Sequence, residues 1–342
     1  MSAHHRSWWA LVALLLAGTL TTGDAAAETA VKFTLDSKFE GPSGLFLLPL
    51  DKGFYKAEGL DVSVDTAADS RESIRRVAAG DYDMAFADIN LLIGLRDGAP
   101  GMPVKAVFVL YNRPPYAVIG RKSRGITTPK DLEGKTLGAP ATDISFAQWP
   151  IFVQANKIDA AKVTIENVSF PVREPMLAAG QIDAIIGSTL SSYIDLKDKG
   201  VPVDDIAVLL MADYGVTLYG SAILVNAKFA AEHPDAVSGF LRAFTKGLKE
   251  AVRQPAIAVE PVLKRNSAAK KNIELERLTM AIKENIVTPE VKTNGYGTID
   301  EERFARAIDQ IALTHKFKSG KPMAGDIFDP SFLPPATGRK VN

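Results

Sequence analysis

One unit of secondary structure occurs twice in this chain, and that repetition limits what the chain can fold into. "AAGDYDMAFAD" (78–88) and "AAGQIDAIIGS" (178–188) align without a gap at an offset of one hundred positions. At the same offset "VSV" (62–64) meets "TI" with its neighbours (163–165), and Asp69 faces Ser169. Each copy reads as strand, polar loop, helix, Ala-Ala-Gly and strand. Gly80 and Gly180 fit helix C-caps, where a left-handed conformation is easiest without a Cβ. Doubly wound sheets reuse strand–helix–strand units in general. Here a polar residue also closes the equivalent strand of each copy, which points to two similar lobes.

Apolar, β-branched runs alternate with helical patterns through the rest of the chain. Strands are expected at 31–35, 61–64, 84–87, 104–111, 116–120, 135–139, 162–168, 184–187, 207–212 and 219–226. The spacing of Ile74/Val77/Ala78 and Phe240/Phe244/Leu248 fits helices between and after them. Such alternation predicts α/β layers with a doubly wound sheet in each lobe. From Ala230 the chain reads mostly helical and ends in a Pro-rich, extended tail, "FDPSFLPPATG". The segments "YNRPPYAVIGRK" (111–122) and "ADYGVTLYGSA" (212–222) are rich in Gly, Pro and Tyr and suit two crossover hinge strands. Lobe one is then 31–115 plus 220–310, lobe two is 116–219, and 311–342 is the tail.

The ends of the chain and its bulk charge narrow the function. "MSAHHRSWW", "ALVALLLAGTL" and "GDAAAET" supply a positive charge, a short apolar core and an A-x-A site, so residues 1–27 read as an export signal cut after Ala27. The apolar run is shorter than the about 20 residues of a comfortable span. Forty basic residues balance forty acidic ones, which argues against a nucleic-acid partner. The chain has no cysteine, which removes disulfides, thiol catalysis, zinc–thiolate sites and a lipidated cysteine. The expected location is the periplasm, and the expected state a monomer without a cofactor or metal.

The ordered blocks "DKGFYKAEGLDVSV", "RRVAAGDYDMAFAD", "PVKAV", "TTPKDLEGKTLGAP", "MLAAGQIDAII" and "FLRAFTKGLKEAV" carry a resemblance over roughly residues 31–310. Together they resemble periplasmic solute-binding proteins of the nitrate/taurine/sulfonate and thiamine-pyrimidine-precursor class. The resemblance implies a two-lobed, type II periplasmic binding protein. It also implies partners: a small-molecule ligand and the permease and ATPase of an ABC importer. Eukaryotic thiamine-pyrimidine synthases are similar in fold, but they carry a cysteine-rich motif and a histidine near the first strand. Neither is present in "LDSKFEGPSGLFLLPLDKGFY", so the resemblance implies a binding protein rather than an enzyme.

In open α/β sheets ligands gather beyond the carboxyl ends of strands. That places candidate ligand-binding residues in six strand-end loops and at the two crossovers. The first-strand loop offers Asp36, Phe39 and Glu40, a ring to stack on a flat ligand and carboxylates to accept from an amine. Asp69 and Glu72 have capping-box spacing, which leaves the backbone of Ser70 for a ligand. Asp88 ends its strand and reads equally as a helix cap or a ligand contact. In lobe two, Asp143 and Ser145 open a helix; Ser169 and Glu174 follow the next strand, with Pro175 suited to a first helical turn; Ser188 and Thr189 stand where Asp88 stands in lobe one. Tyr111 and Tyr214 lie at the crossovers. Asp36, Glu40, Asp69, Asp88, Asp143, Glu174 and Asp213 outnumber Lys38, Arg71, Arg113 and Arg173 among these ends. Unpaired carboxylates repel a bound anion, so the balance favours a neutral or amine-bearing heteroaromatic over a sulfonate, taurine or nitrate. An exported pyrimidine-metabolism enzyme and a receptor-docking sensor are the competing readings. The first needs a nucleophile, metal set or cofactor lysine that no motif supplies.

Overall fold

The computed structural model describes residues 28–341, so the export signal read at 1–27 lies outside the described residues. In chain order the strands are β1 (Thr29–Leu35), β2 (Leu60–Thr66), β3 (Met84–Asp88), β4 (Val104–Val109), β5 (Tyr116–Arg121), β6 (Thr136–Ala139), β7 (Thr164–Asn167), β8 (Ala184–Ser188), β9 (Ile206–Leu210) and β10 (Ser221–Asn226). They form two five-stranded sheets, ordered β2-β1-β3-β10-β4 and β7-β6-β8-β5-β9. In the first sheet β10 runs antiparallel to β3 and β4; in the second, β5 runs antiparallel to β8 and β9. Each lobe therefore has a mixed sheet with one inserted antiparallel strand. Each of the ten expected apolar runs overlaps one of these strands.

The repeat is reproduced in detail. Helices Ser70–Ala79 and Phe170–Ala179 end at Gly80 and Gly180, with φ of 80° and 74°. Asp83 accepts from the Lys32 amide at 2.8 Å, and Asp183 accepts from the Thr136 amide at 2.9 Å. Each carboxylate thus ties the start of its lobe's central parallel pair. The strands between are fully buried where helices cover both faces, as in β3 and most of β8. Aromatic rings fill one face of the first sheet: Phe46 stacks on Phe33 and Phe244 at 5.0 and 4.8 Å.

Three local readings need correction. Pro175 lies inside the helix, which begins at Phe170, so Pro171 sets the first turn. β4 ends at Val109 and β9 at Leu210, each shorter than its apolar run. Residues 110–115 cross to the second sheet, and Met211–Tyr214 is a short turn ending at Gly215 with φ 86°. The tail is not simply extended. It contains helical turns at Ala324–Ile327, Pro330–Phe332 and Ala336–Arg339 and docks on β4, where the Asp329 amide donates to the Ala106 carbonyl at 2.8 Å. That contact covers an otherwise open sheet edge.

Arg303, on the helix Glu301–Ile311, fastens both crossovers to lobe one. Its guanidinium donates to Asn112 Oδ1 and the Asn112 carbonyl at 3.0 and 2.7 Å, and to the Thr217 and Leu218 carbonyls at 2.9 and 2.8 Å. The remaining N–H reaches Glu290 at 2.9 Å, and the group lies 4.0 Å over the Tyr219 ring. All five donors of the arginine are in use.

Candidate functional site

The strand ends of the two lobes form two side-chain nodes that face each other across a seam. In lobe one, Ser70 is the first residue of its helix. Asp69 caps that helix by accepting from the Glu72 amide at 2.8 Å, while Glu72 reaches back to the Ala68 amide at 2.7 Å. The cap leaves the Ser70 hydroxyl free to donate to Asp36 at 2.6 Å and to accept from the Asp88 amide at 3.0 Å. Burial at the strand end raises the Asp36 carboxyl from 3.8 to about 7, the Ser70 bond opposing it and Asp88 adding to it.

Asp88 is both cap and cleft residue. Its Oδ1 accepts from the Asn90 and Leu91 amides at 2.8 and 3.0 Å, and Oδ2 accepts from the hydroxyl of Tyr116. Burial raises the Asp88 carboxyl, and burial with Asp88 beside it raises the Tyr116 phenol. Tyr116 opens β5, so this bond joins the lobes at the hinge. Asn90 donates to the Tyr116 hydroxyl at 3.2 Å and to the Tyr219 carbonyl at 2.7 Å, tying both crossovers to the same point.

Lobe two builds its node around Arg173. The guanidinium donates to Asp143 at 2.6 Å, to Glu174 at 2.9 and 2.6 Å, to Ser192 at 2.8 Å and to the Ile186 carbonyl at 3.0 Å. Those contacts use all five of its N–H groups. Arg173 is 4% exposed, so no donor remains to meet a ligand anion. Gly187 makes the space: a Cβ there would stand 2.6 Å from Ser192 Oγ and 2.9 Å from Arg173 Cζ. The second oxygen of Asp143 accepts from the Ser145 amide at 2.7 Å. Ser188 accepts from the Leu190 amide at 3.2 Å. Thr189 is buried, and its hydroxyl has no partner among the described residues.

The seam is closed by residues that carry no local motif. Arg277, on the helix Lys271–Met280 of lobe one, donates to the Leu190 carbonyl of lobe two and lies 3.2 Å from Glu274 and 3.8 Å from Glu40. Glu274 in turn accepts from the Gly41 amide at 2.6 Å. Asp195 is exposed at the edge of the seam; desolvation by its neighbours raises its carboxyl, with Arg277 opposing and Glu174 and Glu40 adding. Burial also raises the Tyr111 phenol, with Asp36 and Glu40 next in effect. Exposed pairs Lys197–Glu276 and Lys270–Asp198, at 2.6 and 3.4 Å, bridge the lobes at the rim.

The structure therefore gathers Asp36, Glu40, Ser70, Asp88 and Tyr111 from lobe one around the seam, opposite Asp143, Ser145, Glu174, Ser188 and Thr189. Two candidates sit elsewhere. Phe39 packs on the lobe-one core, with its carbonyl held by Asn266 at 2.8 Å. Tyr214 packs edge-on against Phe152 at 6.2 Å. Tyr116, Asn90, Ser192, Asp195 and Arg277 join the site without a sequence signal; only Tyr116, at the first position of a crossover strand, could have been found. Among the described residues no His/Cys/Asp/Glu cluster could hold a metal ion, and no helix is long and apolar enough to cross a membrane.

Two mixed sheets joined by two crossovers, with facing strand ends, define the periplasmic-binding-protein class of fold. The sulfonate-binding protein SsuA of Escherichia coli superimposes with a TM-score of 0.70 over 90% of this chain and 94% of its own, at 14% identity. A family model described as NMT1/THI5 like matches residues 44–258, and the chain belongs to that family. A formylaminopyrimidine-binding protein from Halalkalibacterium halodurans is 25% identical over 93% of this chain and 95% of its own. The riboflavin-binding protein RibY from Chloroflexus aurantiacus is 29% identical over 60% of this chain, which spans 57% of RibY. Other relatives are named as 4-amino-5-hydroxymethyl-2-methylpyrimidine phosphate synthases.

Proposed function

We propose that this chain is the solute-capturing subunit of an ABC importer in the periplasm, and that its inter-lobe site takes a neutral or amine-bearing heteroaromatic of the aminopyrimidine kind. The observation that carries the reading is how the charged groups of the site are held: Arg173 is fully engaged by protein acceptors, Arg277 is held between the Leu190 carbonyl and the Glu274 and Glu40 carboxylates, and Asp36 keeps an oxygen outside its Ser70 bond, its carboxyl raised to about 7 by burial. A sulfonate or nitrate needs free donors away from carboxylates; Arg173 has no free donor, and Arg277 stands beside two carboxylates that repel an anion. A carboxyl at the midpoint of its titration can accept from a ring amine when ionised and donate to a ring nitrogen when protonated. Relatives named for formylaminopyrimidine and riboflavin binding support a flat nitrogen heterocycle.

Transport rather than turnover follows from what the node lacks. Most of the seam's polar groups hold one another in place: Ser70 donates to Asp36 and accepts from the Asp88 amide, and Tyr116 donates to Asp88. No histidine stands among the described residues of the seam to shuttle protons. Capture is then a shift between open and closed lobe arrangements, limited by the ligand's preference for the closed one. A thermal-shift panel tests the reading with aminopyrimidines, riboflavin, taurine, alkanesulfonates and nitrate. A specific ligand at a hundredfold excess over its Kd stabilises by about 2.7 kcal/mol. Response to the heterocycles alone is expected; response to taurine, sulfonates or nitrate alone contradicts the ligand class, and chemical conversion of a bound heterocycle contradicts the transport role.

A further inference from the structure

The helix Pro234–Arg253 carries four cations at a regular spacing: Arg242, Lys246, Lys249 and Arg253. At helical periodicity they fall within about 60° of arc and span about 16 Å. They line one side of a cavity of about 450 Å³ whose opposite wall is the docked tail, at Pro334, Pro335 and Gly338. The apolar stripe of the same helix, Phe240, Phe244 and Leu248, is buried against the first sheet. The cavity is therefore formed between helix and tail and shares no lining residue with the inter-lobe node.

Two things separate this face from an ordinary solvated helix surface. Thr245 lines the cavity at 3% exposure, and its hydroxyl has no hydrogen-bond partner among the described residues. A buried hydroxyl without a partner is a costly arrangement unless something occupies the space beside it. The charges are also unevenly satisfied. Arg242 is held by Glu58 at 2.8 Å, and the one carboxylate of the lining, Glu250, is held by Lys52. Lys246 lies 4.0 Å over the Phe54 ring, and Lys249 reaches only the Gly338 carbonyl, at 3.4 Å. Among the described residues Lys246, Lys249 and Arg253 have no carboxylate within ion-pair distance.

We propose that this groove is a second binding site, for a phosphate group, seated between Lys249, Arg253 and Lys246 with the Thr245 hydroxyl donating to it. Three cations and a hydroxyl converging from one helix match an anion with several acceptor oxygens and more than one charge. The Glu250 carboxylate and Gly338 carbonyl at the edge are acceptors. They suit an oxyanion that retains an O–H, as phosphate does near neutral pH and sulfate does not. The phosphate belongs either to a free small molecule or to a lipid phosphomonoester headgroup, which carries the same charge and O–H, so the same chemistry serves both.

Calorimetric titration of the purified chain at low salt with inorganic phosphate, pyrophosphate and sulfate distinguishes these cases. It is run beside co-sedimentation with vesicles of equal parts phosphatidic acid and phosphatidylcholine, and of phosphatidylcholine alone. Saturable phosphate or pyrophosphate binding is expected, weakened at least about tenfold in Lys249→Ala/Arg253→Ala. Thr245→Val weakens it several-fold, Thr245→Ser retains it, and Lys228→Ala, an exposed cation on another helix, leaves it unchanged. Vesicle binding with the same dependence on variants, and none of the free anions, assigns the phosphate to a lipid. Absence of all binding, sulfate binding as tightly as phosphate, or equal loss in Lys228→Ala overturns the proposal. Unchanged melting of each variant shows that the fold is intact.

Discussion

The two lobes repeat one another at an offset of one hundred residues, and they differ most where they face each other. Lobe one places Ser73 and Ala87 where lobe two places Arg173 and Gly187. Removing the Cβ of residue 187 admits a guanidinium, and that guanidinium gathers Asp143, Glu174 and Ser192 into a closely hydrogen-bonded cluster. Lobe one keeps small residues at those two positions, and its seam arginine, Arg277, comes instead from the helix Lys271–Met280. Its acids, Asp36 and Asp88, are linked through Ser70, and burial raises both. The same backbone unit thus supplies a rigid wall on one side and a titratable one on the other. On the proposed function, a ligand's hydrogen bonding would be read by lobe one.

The largest effect should come from breaking the rigid wall. Arg173→Met leaves Asp143 and Glu174 buried without their partner and should destabilise the chain by about 3–5 kcal/mol, measured by urea unfolding. A loss under about 1 kcal/mol would mean that the node is not the buried unit described. Arg303→Met tests whether the crossovers hold that comparison in place. It removes five bonds, four of them to the two crossovers, and should cost about 2–3 kcal/mol while lowering ligand affinity.

Asp36→Asn should act in the opposite sense on the titratable wall. The unfolded carboxyl loses its proton near 3.8, and the folded one holds it to about 7. The folded chain therefore binds more protons across that window, and stability falls as pH rises through it. Asn removes this fall, so the variant should melt no lower than the wild type at pH 5 and higher at pH 8. Smallest is the rim. Lys197→Ala, which frees Glu276, should change stability by less than about 0.5 kcal/mol and weaken closure only at low salt, by small-angle scattering with and without ligand.

How much of this was legible in the sequence follows from the range of the interactions. Strands show as apolar runs, and caps show as Asp69/Glu72 and the two glycines, because their partners lie within a turn. The strand ends carry more acids than bases in the sequence, but most of that surplus is internally satisfied. Asp143 and Glu174 belong to Arg173, Asp213 belongs to Arg113, and Asp69 belongs to its own helix. Counting signs cannot show which charges pair. Arg277 and Leu190 meet from opposite lobes, 87 positions apart, and no local pattern marks either. Tyr116 reads as the start of a strand; its role depends on Asp88 standing across the hinge.

The most direct test of the account is calorimetry of an aminopyrimidine and of taurine against the wild type and Asp36→Asn, at pH 6 and pH 8. The account predicts stoichiometric binding of the aminopyrimidine, tighter at pH 8 where the ionised carboxylate accepts from the ring amine. It predicts at least about a tenfold loss and no such pH dependence in Asp36→Asn, and no heat from taurine. Binding of taurine alone, or aminopyrimidine binding indifferent to both Asp36 and pH, would contradict it.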